Sequence, residues 1–504
     1  MASHVITASV LGLDAHQVSV ETDISPGLPA FVIVGLPDAA VQEARDRVKS
    51  ALRHAEVEFP RTRVTVNLAP ADLKKVGTPF DLPIALGVMA AAGSLAEEPL
   101  VKLMLAGELG LDGSLRPIHG ALSFALLAKS RGLQELILPY ENAPEAALVE
   151  GLRIIGAKHL RDVIRHVKGE VLIPAETPRA LVPADIPFTG LDFSSIRGQS
   201  QARRALEIAA AGGHNVLMQG PPGSGKTLLA RAFPSILPVL TREEALEATR
   251  IHSVAGMLPP DGMIRQRPFR APHHSASGVA LVGGGAVPKP GEISLAHRGV
   301  LFLDEFLEFP RHVLETLRQP LEDGSITVSR AQGTMNFPAR FTLLGAMNPC
   351  PCGYLTDPDR TCACTPIMVA KYRKRLSGPL LDRMDLFIEV PKVPTAELTD
   401  ISPGETSEHI YRRVQAARDR QTARASQTGC GTNAELTSEH VRKHLKLEDG
   451  ARTVLAYAVE RHRLSARAYF RLLKVAQTIA DLAEERIISA EHVGEALLYR
   501  YDQS

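Results

Sequence analysis

The chain is 504 residues long, enough for roughly two to four domains at about 150 residues each. Lys and Arg number 57 against 56 Asp and Glu, a formal net charge of +1. This excludes a uniformly basic nucleic-acid coat protein or an acidic tail protein, while leaving room for a local basic channel. With 45% hydrophobic and 22% charged residues, disorder over most of the length is excluded, and 5% aromatics without Trp argue against a base-stacking platform.

From the N-terminus, no basic stretch leads into an apolar one, and the weakly polar run 82–96 is too short and too rich in Ala and Gly to cross a bilayer. Four of the five cysteines fall between 350 and 364, which is no disulfide framework, so the cytoplasm is the expected location. Residues 1–170 read as an α+β domain. FVIVGLP (31–37) and RVTVNLAP (63–70) are predicted strands, and 39–55 is a predicted helix with Val41, Ala44, Val48 and Leu52 on one face. Residues 122–139 read as a helix, a Gly stop and a strand. Pro174, Pro178, Pro183 and Pro187 mark a linker over 171–189. Strands and helices then alternate over 190–395, as in an α/β nucleotide-binding core. A break with Pro394 and Pro403 separates this from a helical region, 396–504, with helices predicted at 406–424 and 467–486 and a loop at 426–433.

The strongest motif is Gly220-Pro221-Pro222-Gly223-Ser224-Gly225-Lys226-Thr227, between the strand-like NVLMQ and the helix-like LLARAF. Glycines there let backbone N–H groups turn towards phosphates, Lys226 would reach the β- and γ-phosphates, and Thr227 would ligate Mg²⁺. ATP or GTP is therefore the expected ligand. VLFLDE (300–305) ends an apolar strand in two carboxylates, Asp304 as Mg²⁺ holder and Glu305 as the base for the attacking water. FTLLGAMN (341–348) ends in Asn348, an amide suited to orienting that water. Arg383 fits a cation offered to a neighbouring subunit, and Arg467 a contact to the γ-phosphate from the helical region, since a planar guanidinium matches phosphate oxygens.

At these residues the chain resembles AAA+ ATPases of the magnesium-chelatase-like branch, and within it the bacterial YifB/ComM family. Besides the P-loop, the resemblance rests on RPFRAPHHSAS (267–277), GEISLAHRGVLFLDE (291–305), NPCPCGY (348–354), LSGPLLDRMDL (376–386) and LSARAYFRLLKVAQTIADL (464–482). It implies a multidomain α/β chain: a Lon-protease-like N-terminal α+β domain, an AAA+ core and a C-terminal helical lid. It also implies ATP and Mg²⁺ as ligands, a ring (usually a hexamer) and DNA translocation, in ComM-like members branch migration during natural transformation. By the same resemblance, about 251–285 would be an insertion and 324–340 a hairpin, both directed into the pore. The Lon-type Ser–Lys dyad is missing: Pro79 or Phe80 stands at the Ser position and Leu122 at the Lys position, and Thr78 has no evident base, so no peptidase activity is expected. A chelatase-like ATPase that remodels a protein without touching DNA stays open as the alternative.

Cys350, Cys352, Cys362 and Cys364 form C-x-C…C-x-C in one short loop, a candidate structural zinc site, with reduced thiols or a redox pair as the other readings. His273 and His274 are expected to point to opposite sides of an extended segment rather than share a metal, which leaves an ordinary loop role, or hydrogen bonding or DNA contact. Lys289, Arg298 and Arg330 are candidates for phosphate contacts in a pore, and Lys371, Arg373, Lys374 and Arg375 form a denser basic run.

Overall fold

The computed structural model describes residues 2–177, 190–285, 288–330, 333–394 and 404–500. Pro178, Pro183 and Pro187 of the expected linker, Pro403, and the hairpin tip at 331–332 lie outside the described residues.

In the N-terminal region seven strands form one sheet, ordered Ala30–Val34, Arg63–Ala69, Asp14–Ser25, Ser3–Leu11, Leu103–Leu105, Glu135–Pro139, Arg153–Ala157. Asp14–Ser25 runs antiparallel to both neighbours, and the remaining pairings are parallel. Helix Ala39–His54 starts where Asp38 accepts a hydrogen bond from the Val41 N–H at 2.9 Å. Its predicted apolar face, Val41, Ala44, Val48 and Leu52, is fully buried against the sheet, at about 1.5–3 kcal/mol for each larger side chain. The neighbouring helix Asp81–Ala91 is buried from Asp81 to Met89, as a helix apolar on every side after its first residue must be. Its one carboxylate, Asp81, is held by Arg47 through bonds of 2.6 and 3.0 Å and by the Leu109 N–H at 3.1 Å.

The second sheet is entirely parallel, ordered Phe269–Arg270, Val300–Leu303, Thr342–Met347, Val216–Gln219, Leu386–Glu389. Both faces are covered, which is why Val216–Met218 and Val300–Leu303 read as unbroken apolar runs. This order places the P-loop strand beside the strand that ends at Met347, one residue before Asn348. Within 251–285, Phe269–Arg270 is an edge strand of the sheet itself, followed by the short helix Gly278–Val282 and a two-stranded ribbon, Gly283–Gly284 with Lys289–Pro290. The segment expected as one insertion is thus divided around a core strand. The hairpin over 324–340 pairs Ser325–Arg330 with Gly333–Pro338 in antiparallel register.

The C-terminal region is helical: Ser407–Thr428, Ser438–His444, Asp449–His462, Ala466–Leu482 and Ala490–Leu498. The first helix runs on to Thr428 before Gly429 ends it in the left-handed region (φ 68°), so the expected loop at 426–433 starts later. These helices share one apolar core with helix Ser200–Gly212 and the sheet. The N-terminal region meets the core on helix Arg242–Ala255: Arg250 donates to the Leu13 carbonyl (2.8 Å) and Asp14 (2.7 Å), and Ser253 bonds the buried Glu145. Among the described residues no helix is long and apolar enough to cross a membrane.

Candidate active site

The P-loop takes the shape its sequence asks for. Gly223 and Gly225 have φ of 78° and 94°, conformations that only glycine adopts without strain. Gly220 has no room for a side chain, since a Cβ there would lie 2.1 Å from the Val390 carbonyl oxygen. Lys226 is buried and its ammonium donates to the carbonyls of Gly220 (2.7 Å) and Pro221 (2.8 Å). Burial lowers its pKa to about 8, opposed by the charge of Asp304. Pro222 is exposed and Ser224 buried.

Thr227 donates its hydroxyl to Asp304 at 2.8 Å, so the two residues expected to hold Mg²⁺ already meet. Asp304 also accepts from the Glu305 N–H at 2.9 Å. Glu305 is exposed and has a left-handed backbone (φ 50°), which turns its carboxylate away from the strand. There it meets His274, whose Nδ1 lies 2.9 Å from Glu305 Oε2. The segment around His273 and His274 is a turn, not an extended strand, so the two rings lie side by side with centroids 4.1 Å apart. They still take different partners, because His273 bonds Ser275 at 2.8 Å. Asn348 is half-buried just beyond Met347, whose carbonyl accepts the Gly220 N–H at 3.2 Å.

Arg383 and Arg467 come together on a carboxylate that the sequence did not announce. Glu322 bonds Arg383 through one oxygen and Arg467 through the other (3.1 Å), and Arg383 foremost holds its pKa below the usual carboxylate range. All three line a cavity of about 720 Å³ between core and helical region, and no P-loop residue lines it. The turn carrying Arg383 is fixed from two sides. Asn215, just before the P-loop strand, donates to the Arg383 carbonyl (2.9 Å) and accepts from the Leu343 N–H (2.8 Å); Arg471 donates to the Leu381 carbonyl at 3.1 Å. Arg383 Nε is buried without a hydrogen-bond partner. Glu322 lies in none of the segments singled out above, while Asn215 and Arg471 lie inside two of them; only the fold reveals what each holds.

The thiols of Cys350, Cys352, Cys362 and Cys364 all lie within 4.8 Å of one another, with Cys350 buried. Among the basic candidates, Arg298 pairs with Glu247 (2.8 Å) and Glu244 (3.6 Å). Lys289 is exposed, as are Lys371, Arg373, Lys374 and Arg375, the last paired with Glu308 at 3.2 Å; the side chain of Arg330 lies outside the described residues. In the N-terminal region Phe80 and Leu122 are buried, and Thr78, for which no base was evident, donates to Glu108 at 2.5 Å.

Three family models match: "Magnesium chelatase, subunit ChlI" over residues 192–398, "Subunit ChlI of Mg-chelatase" over 20–142, and "Magnesium chelatase, subunit ChlI C-terminal" over 404–500. The chain is 46% identical to competence protein ComM of Haemophilus influenzae over 501 residues, 98% of this chain and 97% of that one. It is 45% identical to the YifB protein of Escherichia coli over 499 residues, 99% and 97% of the two chains. The magnesium-chelatase 38 kDa subunit of Acidiphilium rubrum is 25% identical over 337 residues, 60% of this chain and 87% of that one. With a P-loop core, a helical C-terminal region and this identity along nearly its whole length, the chain belongs to the ComM/YifB family of magnesium-chelatase-like proteins.

Proposed function

We propose that this protein is an ATP-hydrolysing AAA+ motor of the cytoplasm that forms a ring, with six subunits, around DNA and drives branch migration during natural transformation. The observation that carries this reading is the meeting of Thr227 with Asp304 at 2.8 Å beside the buried Lys226, in a chain 46% identical to a competence protein. Lys226 exchanges its two carbonyls for phosphate oxygens. Thr227 and Asp304 hold Mg²⁺, which when bound neutralises phosphate charge. Glu305 accepts the proton of the attacking water and Asn348 orients that water. Arg383 answers the charge that builds on the transferred phosphoryl group. Because one carboxylate holds Arg383 and Arg467 together, we assign both to the same nucleotide.

The ribbon bearing Lys289 and the hairpin bearing Arg330 are assigned to the DNA-facing side. His273 keeps the DNA assignment, and His274, engaged with Glu305, is reassigned to the nucleotide site. Zinc is assigned to the four cysteines. The N-terminal region is taken as a Lon-like fold without peptidase activity, retained for assembly or partner binding.

Steady-state ATPase at fixed salt, without DNA and with single-stranded, duplex and four-way-junction DNA, tests the motor, with Lys226→Ala as the blank. We expect several-fold stimulation, greatest on the structure the motor works on. Turnover indifferent to every DNA would instead support a motor that remodels a protein, the reading favoured by the likeness to a magnesium-chelatase subunit.

A further inference from the structure

We propose that the four-cysteine loop is a zinc clamp forming one wall of the nucleotide pocket, so that metal loading sets how tightly the same subunit binds ATP. This rests on the nucleotide reading of the P-loop given above.

The thiols fit the metal. Cys350 Sγ lies 3.4 Å from Cys352 Sγ and 3.6 Å from Cys362 Sγ, and Cys352 and Cys362 are 3.6 Å apart. A tetrahedral zinc with Zn–S of about 2.3 Å has sulfur–sulfur edges of about 3.8 Å, so a small outward movement admits the ion. Four thiolates complete its coordination and leave no position open, which makes the site structural. Among the described residues this is the group of His, Cys, Asp and Glu side chains close enough to hold a metal.

The loop also touches the P-loop. Gly353, next to Cys352, has φ of 85° and packs so closely that a Cβ on it would lie 2.8 Å from Cδ and Cγ of Pro222 and 3.8 Å from Cγ of Asn348. Its N–H donates to the Cys350 carbonyl at 3.0 Å, which makes the first C-x-C a tight turn pressed on Pro222. The far side of the loop is tied down as well, by an ion pair between Asp359 and Lys392. Lys392 lies two residues after Val390, whose carbonyl closes over Gly220. The loop thus links the end of the Asn348 strand to the tip and the base of the P-loop. Without metal, the link between its two halves is left to thiol contacts and to Arg360, which donates to the Tyr354 hydroxyl at 2.8 Å, and the wall is in place for only part of the time. The apparent Kd rises by the inverse of that fraction.

The test uses the full chain, purified under reducing conditions, with zinc measured per chain and Kd read with a fluorescent ATP analogue. One equivalent of zinc is expected. Removing it with a chelator, or Cys362→Ser with Cys364→Ser, should weaken the analogue about tenfold while far-ultraviolet dichroism is retained. Gly353→Val keeps all four thiols. Val at φ 85° strains the C-x-C turn, so its zinc content is measured first; with zinc held, comparably weak binding of the analogue assigns the loss to the contact with Pro222. Less than about a tenth of an equivalent of zinc in fully reduced protein would overturn the metal site. Full zinc, with Kd unchanged both on stripping and in Gly353→Val, would overturn the coupling. A Lys226→Ala variant that binds the analogue as wild type does would instead sink the nucleotide reading beneath both.

Discussion

The ammonium of Lys226 rests on two backbone carbonyls, and its burial puts its pKa at about 8 in the free protein. A bound polyphosphate favours the charged form and raises that pKa, so between the two values binding takes up a proton. Affinity is therefore full below about pH 8 and falls above it, by up to about tenfold per pH unit until the bound-state value is reached. Titration calorimetry at pH 8.5 in two buffers of different ionisation enthalpy should show proton uptake, absent at pH 7. Lys226→Ala should abolish binding. Glu305→Gln should bind ATP within about twofold of wild type but turn over about 10²- to 10⁴-fold more slowly, the range for a lost general base. Undiminished turnover in single-turnover assays would remove Glu305 from that role.

Helix Arg242–Ala255 joins the N-terminal region to the nucleotide core, and its contacts include polar bonds, part-buried at Arg250 and buried at Ser253. Glu145, facing Ser253 and the Leu122 N–H, has its pKa raised from 4.5 to about 7 because burial penalises the carboxylate more than those two donors favour it. A raised carboxyl pKa gives stability that is complete below 4.5 and lost as pH rises through 7, roughly 3 kcal/mol in total. Urea midpoints of wild type should therefore fall from pH 5 to pH 8 relative to those of Glu145→Gln, which stays neutral throughout. Parallel curves for the two proteins would mean that Glu145 is ionised in the folded state. The Arg47–Asp81 pair makes the complementary case: Asp81→Ala leaves a guanidinium 17% exposed with its main partner gone, and should cost about 3–5 kcal/mol in the same assay.

For the molecule as a whole, Arg383 and Arg467 are held by Glu322 within one subunit, in a cavity apart from that subunit's P-loop. In the ring proposed above, an adjoining subunit would bring its phosphates to these arginines. Arg383→Ala should bind ATP normally and lose about 10³-fold or more in turnover. Mixing it with Lys226→Ala should restore part of the activity in shared rings, because each mutant supplies what the other lacks; no recovery in co-assembled rings would place Arg383 within its own site. Native mass spectrometry with nucleotide gives the subunit count. DNA binding through exposed Lys and Arg must weaken with salt, log K against log[salt] falling by about 0.9 per phosphate contacted on duplex.

The sequence by itself determined what depends on neighbours along the chain. The stripe Val41–Ala44–Val48–Leu52 pointed to the buried face of a helix, and glycines at 223 and 225 before Lys226 to a turn with positive φ. The apolar strands that stop just before Asp304 and Asn348 were legible for the same reason: a parallel strand covered on both faces leaves polar residues only at or beyond its ends. The tertiary structure decided what depends on residues far apart in the chain. It brought His274 to Glu305 by making a turn where an extended segment was expected, and it gave Arg383 and Arg467, 84 positions apart, a common partner in Glu322. It set Gly353 against Pro222 and divided the 251–285 segment around a core strand. Local spacing fixes which face or end of an element a side chain occupies, but pairing between elements depends on strand order and helix packing. Those are set by burying whole faces at once, not by any one motif.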